Sequence, residues 1–280
     1  MNLRILGSNS FGNCYILETA TEALILEAGV RMANVKKALK WQMRKVVGAV
    51  ITHSHNDHSG YINEMVASGV LVLALEDVFT SHGLLAKPFT KAIVPNKGYK
   101  LGNFKIFSVL VKHDVPCLGY IISHPDMGKL LFITDTITLD VCVPGLNHIM
   151  IEANYADDIV EQNIANGSMP EAMRPRLLNS HMEIEQTKAI LAENDLSAVD
   201  NIILIHLSDG NSNEERFVRE VRELTGKPVC NPQIEPRSPA LQMDSLPTEL
   251  RGKPHSVYRE VPNSQFRNSM KEKLKINTPI

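Results

Sequence analysis

"VGAVITHSHNDHSGY", residues 47–61, decides how the rest of the chain is read. A β-branched run leads directly into His53, His55, Asp57 and His58, four ligating side chains within six positions. The run VGAVI predicts a buried strand, and SGYINEMVASG (59–69) predicts the helix that follows. At the end of a strand, residues two apart point the same way, so His53 and His55 can grip one ion together. Once the chain turns into a helix, Asp57 and His58 swing to a neighbouring position where they can grip a second. Imidazole and carboxylate suit Zn²⁺ best, with Mn²⁺ or Fe also within their range.

Two ions need more than four ligands, and three further candidates stand at the ends of apolar runs. His113 follows KIFSVLV, Asp135 follows KLLFI, and His206 follows NIILI. The carboxyl ends of strands are where open α/β architectures build their sites. Alone, each could be a loop or capping residue. As an ordered set with the cluster at 53–58 they predict a metal centre.

Around these points the chain is a mixed α/β protein. LRILGS, NCYILET and EALILEAG predict successive strands, and LVLAL, LGYIISH and NHIMIEAN three more. Helices are predicted over MANVKKALKWQMRKV (32–46), MEIEQTKAILAEN (182–194) and NEERFVREVRELTG (213–226), the last closed by Gly226. The turn GSNSFGN (7–13) fits no phosphate-binding loop; it is expected to border the site, with Gly12 and Asn13 in unusual backbone angles.

Composition is that of an ordinary globular chain of 280 residues, 44% apolar and 21% charged, and a net charge of −2 signals neither nucleic acid nor anionic membrane. No segment approaches a membrane span. Four scattered cysteines, without a CxxC, are expected to be reduced core residues of a cytoplasmic protein. Seven of fifteen prolines fall in the last fifty residues, so 1–230 is expected to be one domain and 231–280 a proline-rich, partly disordered tail with a short helix at SQFRNSMKEKLK. That tail carries eight basic and five acidic residues, which leaves the domain with 21 and 26.

The HxHxDH pattern at 53–58, followed by ordered His, Asp and His motifs, resembles the metallo-β-lactamase superfamily over about residues 1–230. Within it, GSNSFGNCY, HDVPCLGY, FITDT, IEANY and SHMEIEQ resemble the WalJ-type and PhnP-like phosphodiesterase branch, related to tRNase Z. Phage anti-Pycsar cyclic-nucleotide phosphodiesterases share the design. The resemblance implies a four-layer αββα sandwich of the α/β class. It implies that His53, His55 and His113 hold one metal, that Asp57, His58 and His206 hold another, and that Asp135 bridges them. It further implies a Glu–His pair at Glu152 and His181, with His181 giving a proton to the leaving oxygen and Asp57 orienting the attacking water. One departure stands out: the family's strand-end Asp is Glu27 here, in LILEAG, and the supporting carboxylate is expected to adjust.

These residues point to a metal-dependent phosphodiesterase with two divalent ions, Zn²⁺ or Mn²⁺, acting on a nucleic acid end or a small or cyclic nucleotide. A cation pair lowers the pKa of a shared water from about 15.7 towards 7. The resemblance also leaves room for a homodimer. The competing readings are a carbon ester or thioester hydrolase of the lactonase or glyoxalase II kind, and a metal-binding regulatory protein without turnover. His82, His124, His148 and His255 receive no role.

Overall fold

The structure is a computed structural model that describes residues 1–232 and the strand Leu241–Gln242. The expected tail helix, and most of 231–280, lie outside the described residues, as does His255.

Among the described residues, two mixed sheets of seven strands each pack face to face. The first contains β1 (Asn2–Gly7), β2 (Cys14–Glu18), β3 (Ala23–Leu26), β4 (Val46–Val50), β5 (Val72–Ala74) and β6 (Thr90–Ala92) in sequence order. The second runs from β7 (Gly98–Leu101) through β8 (Phe104–Val111), β9 (Cys117–His124), β10 (Gly128–Ile133), β11 (His148–Glu152) and β12 (Asn201–Ile205) to β13 (Val229–Cys230). The last strand, β14 (Leu241–Gln242), pairs antiparallel with β1.

Both faces of each sheet are covered, which is why so many strands are apolar without interruption. Alternate residues go to opposite sides: Tyr15 and Leu17 of β2 join Phe104, Tyr120 and Phe132 in the core between the sheets, while Cys14 and Ile16 face outward. That outer layer packs on α1 (Met32–Ala38), α3 (Ile62–Ala67) and α4 (Glu76–Ser81), with the short α2 (Asn56–Ser59) preceding α3. Beyond the second sheet lies a core that includes Ile184, Ile190 and Leu191 of α7 (Ile184–Glu193) and Phe217, Val218 and Val221 of α8 (Glu214–Thr225). Helices α5 (Asp157–Ala165) and α6 (Arg174–Ser180) fill the connection from β11 to α7. The expected αββα order is the observed one.

Topology gathers the site. Strands β3, β4 and β5 are mutually parallel, as are β10, β11 and β12. The carboxyl ends of each parallel set therefore emerge on one rim. β1 and β8 each lie two antiparallel steps from those sets and end on the same rims. The Leu118 N–H donates to the Thr52 carbonyl at 3.0 Å and ties the two rims together.

Three expectations need correction. The helix expected over 32–46 stops at Ala38, because Lys40 and Trp41 take left-handed backbone (φ 49° and 64°) and a 3₁₀ turn at Met43–Lys45 follows. Gly12 and Asn13 are not left-handed; the glycine is required by a close approach described below. Of the four cysteines, only Cys14 and Cys117 are buried core residues, whereas Cys142 is exposed and Cys230 half-buried. No helix among the described residues is long and apolar enough to cross a membrane.

At the end of the sandwich away from the site, the buried Glu22 latches the sheets together. Its carboxylate accepts from His124 Nε2 (2.8 Å), Asn103 Nδ2 (2.7 Å) and the Asn103 N–H (3.0 Å). Burial alone would raise its pKa, but these hydrogen bonds outweigh it and hold the carboxyl below its ordinary value. A depressed carboxyl stabilises the fold above its unfolded pKa and loses that contribution as pH falls through the folded one. Glu22→Gln is therefore expected to cost about 1–3 kcal/mol near neutrality, with the gap to wild type closing in acid. Urea unfolding of both proteins across pH measures it; a gap independent of pH would contradict the latch.

Candidate metal centre

Each candidate ligand projects from a strand end or the turn beyond it. His53, His55, Asp57 and His58 follow β4, with His55 as the N-cap residue of α2. His113 follows β8, Asp135 follows β10, Glu152 ends β11, His206 follows β12, and His181 caps α6. Their side chains converge. Ligand atoms of His53, His55 and His113 lie within 4.8 Å of one another, as do those of Asp57, His58 and His206, and those of His53, His58 and Asp135. All seven residues expected to ligate come together, arranged as two triads with Asp135 between them.

The chemistry of the donors fits divalent cations. His53 Nδ1 lies 2.9 Å from Thr52 Oγ1, which leaves Nε2 as the nitrogen available to an ion. That Nε2 is buried and has no hydrogen-bond partner, a costly state for a polar atom unless a cation meets it. His113 Nδ1 donates to the Ser180 carbonyl at 2.8 Å, so its Nε2 is likewise turned into the cluster, 3.3 Å from His55 Nδ1. Asp135 Oδ2 lies 2.6 Å from His58 Nε2, and Asp57 Oδ2 3.2 Å from His206 Nε2.

Electrostatics separates the histidines into two kinds. Burial, together with the charge of His58, pushes His53 well below its ordinary pKa, and burial likewise lowers His113. For His206 burial is outweighed by Asp135, Asp57 and Glu152, and its pKa is pushed up to about 9; His58 rises for the same reason beside Asp135, Asp57 and Glu27. Asp57 and Asp135 go the other way: burial would raise them, but the neighbouring imidazoles hold both well below the carboxylate range.

A fourth compact group, Asp135, Glu152, His181 and His206, is of another kind. His181 Nδ1 donates to Glu152 Oε1 at 2.8 Å and lies 3.0 Å from Asp135 Oδ1, while Glu152 Oε2 accepts from the Thr136 N–H at 3.1 Å. Burial works against the charged ring, but Glu152 and Asp135 overcome it and push His181 up to about 10. These are contacts of a proton-holding pair. The side chains of His58, Asp135, Glu152 and His206 are at most 2% exposed, whereas Asp57 and His181 keep 22% and 24%. With His55, at 32%, these are the side chains of the cluster that reach solvent.

Glu27 Oε2 accepts from the Thr52 N–H at 3.2 Å and bonds the start of the histidine turn, while its Oε1 lies 3.5 Å from His58 Nδ1. Residues the sequence reading passed over do the same elsewhere. Asn13 Nδ2 reaches Asp57 Oδ2 (3.3 Å) and His58 Nε2 (3.0 Å). Asn154 Nδ2 donates to the His206 carbonyl (2.7 Å), and the His206 N–H donates to Ser8 Oγ (3.1 Å). His82 Nε2 lies 2.8 Å from Ser59 Oγ, which itself bonds the Ser54 and His55 carbonyls and so fastens the turn. His124 serves the distant latch, and His148 bonds Asn201 and the Met127 carbonyl, so neither belongs to the centre.

Comparison with known proteins agrees with this geometry. Residues 7–141 match the metallo-beta-lactamase superfamily. The chain is 24% identical over 227 residues to the exodeoxyribonuclease WalJ of Streptococcus pneumoniae serotype 2 (strain D39), covering 75% of this chain and 83% of that one. Its fold is similar to the metallo-beta-lactamase fold protein YhfI from Bacillus subtilis (TM-score 0.62, 18% identity, 82% of this chain and 95% of that one). It is also similar to a diphosphatase from the PhnP family (TM-score 0.56, 14% identity, 82% and 94%). Over residues 7–141, just under half of its length, the chain is thus similar to metallo-β-lactamase superfamily domains.

Removing a brace without a ligand tests the centre. Thr52→Val deprives His53 Nδ1 of its oxygen partner and is expected to weaken metal binding about 10–100-fold while circular dichroism stays native. Competition with a chromogenic chelator measures the affinity; unchanged affinity would mean that His53 is not a ligand.

Proposed function

We propose that this metal-dependent hydrolase is a phosphodiesterase acting on a nucleic acid end or a nucleotide. The observation that carries the reading is the hydrogen bond from His181 Nδ1 to the buried Glu152, set directly against Asp135. His53, His55 and His113 would hold one divalent ion and Asp57, His58 and His206 a second, with Asp135 placed between the two triads. The donor set of five imidazoles and two carboxylates favours Zn²⁺, with Mn²⁺ as its substitute. Bound ions supply Lewis acidity, neutralising phosphoryl oxygens and lowering the pKa of a water.

The protein's own residues do the rest. Asp57 is held ionised, so its carboxylate accepts a hydrogen bond from the attacking water and fixes its direction. His181 enters protonated because Glu152 and Asp135 favour the charged ring. Glu152 keeps Nδ1–H engaged, and Nε2–H is left to protonate the departing oxygen. The resulting neutral imidazole is recharged from solvent through its exposed edge.

The similarity to an exodeoxyribonuclease and to a PhnP-family diphosphatase supports a phosphorus ester over a carbon ester. Metal-loaded protein is expected to bind two equivalents of Zn²⁺ or Mn²⁺ and to hydrolyse thymidine 5′-(p-nitrophenyl phosphate). Activity confined to a lactone or a thioester would overturn the proposal, and metal binding without any turnover would favour a regulatory role. His181→Gln is expected to keep both metal equivalents and lose about 10²–10⁴ in kcat. A variant with wild-type kcat would remove His181 from the chemistry.

A further inference from the structure

Phe11 is 84% exposed, the most exposed large hydrophobic side chain among the described residues. It sits at the tip of the 7–13 turn, and its surroundings make that exposure specific. The turn is fastened to the metal centre on both sides. Before Phe11, Ser8 Oγ accepts the His206 N–H at 3.1 Å and bonds the Tyr15 hydroxyl at 2.9 Å. After it, the Asn13 N–H donates to the Asp57 carbonyl at 2.7 Å, and the Asn13 carbonyl accepts from Gly29 at 2.9 Å. Within the turn, Asn9 Oδ1 takes the Phe11 N–H at 3.0 Å and the Asn9 carbonyl takes that of Gly12 at 3.1 Å.

Glycines permit this seating. A Cβ on Gly12 would stand 2.2 Å from the Gly29 carbonyl oxygen, and one on Gly29 would stand 1.8 Å from that of Asp57. Backbone thus lies on backbone, and the turn has little freedom to fold its tip away. Two residues of chain span at most about 7 Å, so the Phe11 backbone lies within that distance of Asn13, whose N–H meets the Asp57 carbonyl. The other residues of the turn, Gly7, Ser8, Asn9, Ser10, Gly12 and Asn13, are small or polar. An exposed phenyl here contributes nothing to the core, and the backbone that carries it is fastened beside the candidate site.

We propose that Phe11 is a stacking platform for the nucleobase attached to the phosphate being cleaved. This rests on the phosphodiester reading above and narrows it to nucleoside phosphodiesters. A phenyl face accepts any base, because every base has a π-face, so the platform confers affinity for nucleosides without choosing a sequence. Held on a preformed turn, it costs little ordering on binding.

The test compares two esters with the same leaving group, thymidine 5′-(p-nitrophenyl phosphate) and methyl p-nitrophenyl phosphate, on the metal-loaded full chain. Phe11→Ala is expected to lower the nucleoside-to-methyl ratio of kcat/KM about 5–100-fold, chiefly through KM for the nucleoside ester. Phe11→Trp is expected to restore the ratio. A ratio unchanged in Phe11→Ala, whether both rates fall together or neither moves, would overturn the platform. Calorimetric binding of deoxyadenosine 5′-monophosphate against inorganic phosphate separates the two proposals. Should wild-type protein cleave neither ester, the hydrolytic reading fails. A nucleotide preference lost in Phe11→Ala would then still support the platform, and one absent or unaltered would overturn it.

Discussion

Three carboxylates, those of Glu27, Asp135 and Glu152, lie in the interior with at most 2% of each side chain exposed. Buried acids must be offset by positive charge, since desolvating an unpaired carboxylate costs far more than a fold can spare. The rim is arranged to answer this demand. His58, His181 and His206 are drawn towards the protonated form, whereas His53 and His113 are driven towards the neutral one. The second group is what a cation requires, neutral imidazoles with free lone pairs. An ion held by His58 and His206 would displace their protons and would take over the balancing of Asp57 and Asp135. His181, bonded to Glu152 rather than aimed into either triad, keeps its proton. One charge requirement thus separates ligands from acid.

Backbone geometry shows the same concentration of purpose. Glu27, Asp135 and His206 all take positive φ, 68°, 47° and 55°, although none is glycine. Such conformations cost on the order of 1–3 kcal/mol each and persist where the surroundings over-determine them. Here the surroundings are visible. The Glu27 N–H is held by the Val50 carbonyl at 3.0 Å, the His206 N–H by Ser8, and Thr136, next to Asp135, by Glu152. Each left-handed residue turns the chain sharply off its strand and sends its side chain across the rim. A chain leaving these strands in extended form would carry the same groups past one another.

Much of this was legible in residue order. The strands β4, β8, β10, β11 and β12 are dense in Val, Ile and Leu because the sandwich covers both faces, and a polar residue at the end of such a run is conspicuous. The stretch 157–180 was not legible: α5 and α6 are short and mostly polar, and Pro170 and Pro175 read as loop, yet α6 delivers the Ser180 carbonyl to His113. α4, β6 and β7 are brief edge elements with little periodicity. The braces were invisible for another reason. Asn13, Thr52, Ser59 and Asn154 are ordinary polar residues, and their importance arises from partners as distant as 52 positions. The HxHxDH spacing announces ligands; nothing comparable announces what holds a ligand still. Helix α1 erred in the opposite sense, since apolar spacing ran on through Met43 and Val46 after the backbone had already turned at Lys40.

The balance of charge also bears on the kind of ester. A carbon ester enters a site neutral and becomes anionic only in the transition state. A phosphodiester enters carrying one negative charge and gains a second. Two buried carboxylates, Glu152 and Asp135, favour the charged form of His181 at the centre. Maintaining it consumes favourable interactions that a structure need not make for a neutral substrate. For an anion the same charge serves twice, attracting the phosphate and then giving its proton to the oxygen that departs. A protonated histidine held in waiting beside the metal centre is therefore economical for a phosphodiesterase and wasteful for a lactonase.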